Sequence, residues 1–290
     1  MKRFIIRFVN KLYGKNRIIF LVTISIICVL SLCVGIYAQY FYKYYDTDPL
    51  MIGINIGTKK TTEEYNTLKA SFNAIFTNEL VTNTTEKFNV QKIQFSKDLV
   101  YTNYDINREE EGMYNINVKI PVINIDENTA KSINAKIKTE FYDKVTNIMN
   151  NSSEYTVYNV NYIAYINQDI LSIAVKSSVK QGNNSEKVII KTYNYSIPSK
   201  AEVRLDELIK LKETNEAEVQ KLIKDEIKIA YNNAKSLQEL GYNIYQRDIN
   251  SNMYKVSETD TYLLTQDGYV YLIYSYGNNS YTNEVDVVIF

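Results

Sequence analysis

The chain has 290 residues, 33 of them basic and 33 acidic, with no histidine, no tryptophan and only two cysteines. Without histidine it lacks the usual base of a catalytic triad and the commonest metal ligand. Six cations fall in the first 17 residues, leaving 27 basic against 33 acidic residues in the remainder, a net −6 that is no footprint for nucleic acid.

Those six cations are Lys2, Arg3, Arg7, Lys11, Lys15 and Arg17. They precede residues 18–38, a run of 21 residues without a charge. At about 1.5 Å per residue, a helix of that length spans a bilayer core of roughly 30 Å. Cations stay on the cytoplasmic side. The expected arrangement is a cytoplasmic tail (1–17), a transmembrane helix in the lipid bilayer (18–38), a juxtamembrane linker (39–57) and an extracytoplasmic domain (58–290). Tyr37, Tyr40, Phe41, Tyr42, Tyr44 and Tyr45 suit the outer headgroup level. The rival reading is a signal peptide, with Ile36-Tyr37-Ala38 as an imperfect signal-peptidase site ending at Ala38. Cys28 and Cys33 both lie in the apolar run, so the ectodomain has no disulfide. The Asn, Ile, Lys and Tyr bias, with 27 tyrosines, suits an AT-rich Gram-positive cell envelope.

Past the linker, Thr61 and Glu64 fit a capping box for a first helix, with Tyr65, Leu68, Phe72, Ile75, Phe76 and Leu80 on one face. From Phe88 the period falls to two, and Ile93 and Phe95 alternate with polar neighbours. Strands near 99–106 and 113–120 flank a solvated turn, REEEG. A second helix is predicted from about 127 to 150, with Asp126 as N-cap and a stripe of Ala130, Ile133, Ile137, Phe141, Val145 and Ile148. A meander of three strands follows, ending at Pro198. A third helix spans about 216–240, opened by Asn215 with Glu218 and stopped at Gly241. Val219, Leu222, Ile223, Ile227, Ala230, Ala234 and Leu237 form its inward face. A last hairpin turns at Asp267-Gly268. The terminal EVDVVIF is apolar on both faces, which predicts a covered strand beside residues 269–276. The fold class is α+β: antiparallel sheets with three main helices, in two related lobes of roughly 58–150 and 151–290.

Several pieces are family-like in combination: YNINVKIPVIN (114–124), Ser132-Ile133-Asn134, ILSIAV (170–175), KTYNYSI (191–197), VRLDELI (203–209), and GYVYLIYSYGNN with EVDVVIF. On these, residues 103–290 resemble a bacterial extracytoplasmic domain found in the lysozyme-sensing anti-sigma factor RsiV and ahead of the catalytic domain of the peptidoglycan deacetylase PdaC. The chain departs from that pattern at QGNNSEKV (181–188), where many relatives have Gly-Ala-His. Its tail is also shorter than a sigma-binding segment, and it has no separate deacetylase domain. The resemblance implies the fold and an envelope location.

Three chemistries are worth weighing. Ser177-Ser178-Val179-Lys180 spells a serine-acylase motif, but in a strand pattern rather than at a helix start. Asp260, Asp267, Glu284 and Asp286 cluster near the last hairpin, as a carboxylate-dependent wall hydrolase would need. Tyr193, Tyr195, Tyr274 and Tyr276, in strands near turns, are candidate ligand contacts, since tyrosine combines contact area with a hydroxyl. No metal, cofactor or catalytic residue is expected. The leading expectation is a membrane-anchored, non-catalytic binding or sensing domain for a protein such as lysozyme or for peptidoglycan. Proteolytically released anti-sigma signalling and carboxylate hydrolysis are the alternatives.

Overall fold

The computed structural model describes residues 62–82, 88–275 and 284–290. The apolar segment 18–38, the Ala38 site, the linker, Thr61 and Tyr276 lie outside the described residues. Among the described residues no helix is long and apolar enough to cross a membrane.

The described residues build an α+β architecture, with a mixed sheet of seven strands and an antiparallel sheet of three. Helix α1 (Thr62–Ser71) runs into a 3-10 turn, and Asn78 then adopts a left-handed φ of 64°. Strand β1 (Leu80–Thr82) follows and pairs in parallel with β4 (Thr156–Asn167). Leu80 is thus a strand residue, not the last rung of a helical stripe. Strand β2 (Val100–Glu110) forms a hairpin with β3 (Tyr114–Ile123), which pairs in parallel with the first half of β4. The lobe boundary expected near residue 150 therefore falls inside one sheet.

Helix α2 (Asn128–Ile137), a π turn (Lys138–Tyr142) and helix α3 (Asp143–Asn151) make the predicted second helix. The extra residue of the π turn shifts the stripe, yet Ile137, Phe141 and Val145 all stay buried. Its N-cap is Glu127, not Asp126. Asp126 instead ion-pairs with Lys131 and accepts from the Gln91 amide at 3.2 Å. The meander is β4, β5 (Ile170–Gln181) and β6 (Lys187–Ser196), with the short β7 (Ala201–Glu202) at its end.

Helix α4 (Leu205–Leu211) leads to α5 (Glu216–Glu239), where the Asn215 side chain accepts from the Glu218 N–H at 3.0 Å as the sequence predicts. Gly241 takes φ 89° just past the helix end, a conformation open to glycine. Leu237 is exposed rather than inward, and Glu226 is buried where no charge was expected. Two 3-10 turns precede β8 (Tyr262–Leu264), β9 (Val270–Ser275) and β10 (Val285–Ile289). Asp267-Gly268 forms the β8–β9 turn, with Gly268 at φ 82°.

Alternation along the strands sorts side chains into three cores. Tyr158, Val160, Tyr162, Ala164 and Ile166 of β4 face α2 and α3, together with Ile173, Val175 and Tyr195. Ile163 and Tyr165, one residue out of phase, face the small sheet through Ala174, Ile190, Tyr271, Ile273, Val287 and Ile289. Leu272, Tyr274, Val288 and Phe290 line the far side of that sheet and pack on α4 and α5 through Leu208, Leu222, Ile223 and Ile227. The result is four layers, helix–sheet–sheet–helix, with α1 wedged in the central layer through Tyr65 and Phe72. The C-terminal strand is covered on both faces, as predicted. It lies at the edge of its sheet, where the Ile289 N–H donates to the buried Tyr65 hydroxyl at 3.4 Å.

Candidate functional site

Where the two sheets meet beside β6, residues 188–191, 258–261 and 273–275 enclose a cleft of about 280 Å³. Its walls come from three sources. The outer part of β6 supplies Ile190 and Lys191, the 3-10 turn and the residues after it supply Glu258, Asp260 and Thr261, and the end of β9 supplies Ile273 and Ser275. Met253 closes one side. The site therefore combines an apolar floor with a charged rim, where the Lys191 ammonium and the Asp260 carboxylate stand 3.9 Å apart. Both side chains of that pair are largely exposed, so it is an open, solvent-screened contact.

The walls are held by bonds between elements. The Tyr262 N–H donates to Thr192 Oγ1 at 2.8 Å, and the Asn194 amide donates to the Tyr262 carbonyl at 2.9 Å. Asn194 in turn accepts from the buried Ser172 hydroxyl at 2.6 Å. Thr259 and Tyr274 share a buried hydroxyl contact of 3.1 Å, and burial pushes the Tyr274 phenol up to about 12. These ties fix the rim against the sheets.

Of the described tyrosines singled out in the sequence, Tyr274 lines this cleft and Tyr193 and Tyr195 do not. Tyr195 is buried in the core beneath α2 and α3, and Tyr193 is half-buried against that same core. Burial raises both phenols. Tyr274 belongs to the core on α5 and also lines the cleft. Tyr276 lies outside the described residues. Tyr193 and Tyr195 share one face of β6 and sit against the α2–α3 core, whereas Tyr274 lies between the α5 core and the cleft wall.

The carboxylates also separate. Glu284 and Asp286 both lie on Arg247, at 2.9 and 3.0 Å, in a partly buried ion cluster. Burial works against the Arg247 cation, and its bond to Asp286 with both carboxylates outweighs that, leaving the guanidinium pKa raised. This cluster ties the irregular segment after α5 to β10 and leaves those acids engaged. Asp267 sits in the β8–β9 turn. Of the four, Asp260 alone lines the cleft, joined there by Glu258. Ser177-Ser178-Val179-Lys180 lies in β5, as its strand pattern indicates, with Ser177 buried. Among the described residues no group of three or more His, Cys, Asp or Glu is placed to hold a metal ion. Lys191, Thr261 and Met253 were not legible as site residues, because the sequence gives no sign that β6 and the 258–261 segment meet.

No family model matches the chain, and no curated protein matches it. Among solved structures it is similar to a DUF3298 family protein from Pseudomonas aeruginosa, at 12% identity and a TM-score of 0.37, over 66% of this chain and 87% of that one. It is likewise similar to a member of the same family from Bacteroides fragilis, at 11% identity and a TM-score of 0.37, over 61% of this chain and 81% of that one.

Proposed function

We propose that this chain is a single-pass envelope protein with its basic tail in the cytoplasm and its α+β domain outside, serving as a non-catalytic binding or sensing module. The observation that carries the reading is the pairing of six cations in residues 1–17 with the uncharged run 18–38. The absence of histidine from the whole sequence favours binding over hydrolytic chemistry. The resemblance to the lysozyme-sensing domain type points the ligand class toward an extracellular protein or a cell-wall glycan. The cleft between the sheets is the place for it. At about 280 Å³ it is near the lower limit of ligand pockets, and its floor of Ile190, Met253 and Ile273 under a rim of Lys191, Glu258 and Asp260 suits a short polar segment with one apolar contact.

The test is a binding assay of the full chain, in detergent or nanodiscs, against peptidoglycan and against lysozyme. Saturable binding of one of them, weakened by Asp260→Lys, supports the reading. No binding to either, together with turnover of a wall substrate, would remove it.

A further inference from the structure

The segment between residue 88 and β2, where the apolar period is two, is a built loop rather than a strand. Phe95 at its tip is 95% exposed and Ile93 is 48% exposed, the former an extreme for a large apolar side chain. Such a loop would ordinarily fold its apolar residues inward. Here a fully buried side chain, Asn124, dictates its course. The Asn124 carboxamide oxygen accepts from the Gln94 N–H at 2.7 Å. Its amide nitrogen lies 2.7 Å from the Gln94 carbonyl, 3.2 Å from that of Lys97 and 3.0 Å from that of Asp98. The Asn124 N–H donates to the Leu99 carbonyl at 2.8 Å, and the Asp126 N–H to that of Gln91 at 2.8 Å. Lys92 closes the loop through the Lys97 carbonyl at 2.8 Å. The backbone is pinned on both sides of Phe95, and the ring is held out in solvent.

The loop lies at a defined end of the fold. Val100 pairs with Ile123, and β3, β4 and β1 run parallel, so Ile123, Ile166 and Thr82 share that end. Asn167 there donates to the carbonyls of Thr265 and Gln266, placing the β8–β9 turn at the same end. Tyr269 beside that turn packs on the same core as Tyr65 in the first half of α1, whereas Asn73, past the other end of α1, accepts from Lys176, which pairs with Asn161 farther from that end. The chain thus enters the described fold at the end from which Phe95 projects.

We infer that the 91–98 loop is a membrane-surface contact: Phe95 and Ile93 enter the interfacial layer of an anionic phospholipid bilayer, and Lys92 and Lys97 meet its headgroups. Phenylalanine is at home at that depth, and paired lysines match the charge of anionic lipid. A carbohydrate or a protein pocket gives no account of an apolar tip flanked by cations at the end where the chain comes in. The inference rests on the membrane-anchored reading proposed above.

The chain has no tryptophan, so Phe95→Trp gives a single reporter. The full-length variant is reconstituted into phosphatidylglycerol vesicles, with and without bromine on the upper acyl chain. Met113→Trp, in the β2–β3 turn at the opposite end of the sheet, is the control. The expected result is blue-shifted emission from Phe95→Trp with most of its intensity quenched by brominated lipid, and neither effect for Met113→Trp. Replacing Lys97 with glutamine, which leaves the Lys92 bond to the residue 97 carbonyl in place, should reduce the quenching. Emission at the water-exposed maximum without quenching, in a protein that floats with the vesicles, overturns the loop contact and leaves the anchor reading standing. A protein that does not float with the vesicles overturns both.

Discussion

The ammonium of Lys69 in α1 lies 2.9 Å from the carboxylate of Glu226, which is buried on the inner face of α5. The Tyr65 hydroxyl, four residues earlier and one helical turn away, receives the Ile289 N–H of the C-terminal edge strand. One short helix therefore closes both a buried charge and an open sheet edge, joining elements 157 and 224 residues apart in sequence.

Removing one partner of such a pair leaves the other uncompensated. Lys69→Met is expected to cost about 3 kcal/mol, the lower part of the range for breaking a buried pair, because Lys69 itself remains partly exposed. Lys69→Met with Glu226→Leu should be more stable than Lys69→Met alone, since no buried charge is then stranded. Urea unfolding of the three proteins reads the difference directly. Equal stability of the single and double variants would show that Glu226 is not held as a charge by Lys69.

The C-terminal strand makes a second prediction. Val287, Val288, Ile289 and Phe290 are all buried, two of them in each of the flanking cores. Each such side chain contributes roughly 1.5–3 kcal/mol on burial. Deleting the last six residues should therefore abolish cooperative unfolding of the small sheet and α5, against a typical total of about 5–15 kcal/mol. A truncated chain that melts cooperatively at an unchanged temperature would contradict the assignment.

The tyrosines predict alkaline lability. Burial pushes Tyr274 up to about 12, and Tyr165 up to about 12 with help from the charges of Asp267 and Glu79. Tyr65, Tyr158, Tyr193, Tyr254 and Tyr271 are raised in the same direction, with burial the leading cause in each. The folded state keeps these protons where the unfolded chain, titrating near 10.0, releases them. Their contribution is therefore fully present below pH 10 and is lost as the pH rises toward about 12. Stability measured against pH should fall steeply across that window, with tyrosinate absorbance rising in step with unfolding. A gradual rise in absorbance before unfolding would mean that the phenols are more accessible than their burial implies.

Asn124→Ala offers a local test of the loop that displays Phe95. It removes the four side-chain contacts that carry the backbone of 94–98, leaving three part-buried carbonyls and the Gln94 N–H without that partner. A penalty of about 1 kcal/mol follows, the low end for an unsatisfied group, because water reaches these loop carbonyls. The expected signature is rapid hydrogen exchange and proteolysis confined to the loop, with protection of β4 and β5 retained. Uniform loss of protection would assign Asn124 to the global core instead.

Much of this fold is readable from residue pattern. The stripe of α2 and α3, the Asn215 cap, the Asp267-Gly268 turn and the two-faced C-terminal strand each obey a local rule. The failures share a cause in long-range partners. Leu80 follows Phe76 at helical spacing, but Asn78 turns the chain so that β1 can occupy the side of β4 that β3 leaves open. Ile93 and Phe95 alternate like a strand, but Asn124, thirty residues away, takes the loop's backbone bonds. The cleft was illegible for the same reason: Lys191 and Asp260 meet only because two sheets pack face to face. Tyr193 and Tyr195 share a face of β6 that packs toward α2 and α3, a side that strand alternation alone does not choose.

Two-faced burial removes the usual guard on strand register. In a half-solvated sheet, a slip of one residue would drive polar side chains into the core and correct itself. In the middle of β5, buried on both faces, the penalty must come from specific partners. Ser172 and Asn194 stand directly opposite each other, and their side chains bond at 2.6 Å while Asn194 also donates to Tyr262. A slip of two residues would set Ser172 against Thr192 or Ser196 and leave the Asn194 amide buried without Ser172. Tyr162 with Thr102 at 2.9 Å and Asn78 with Asn161 at 2.9 Å index β4 in the same way. These few polar contacts act as a combination lock, accepting one alignment of the strands.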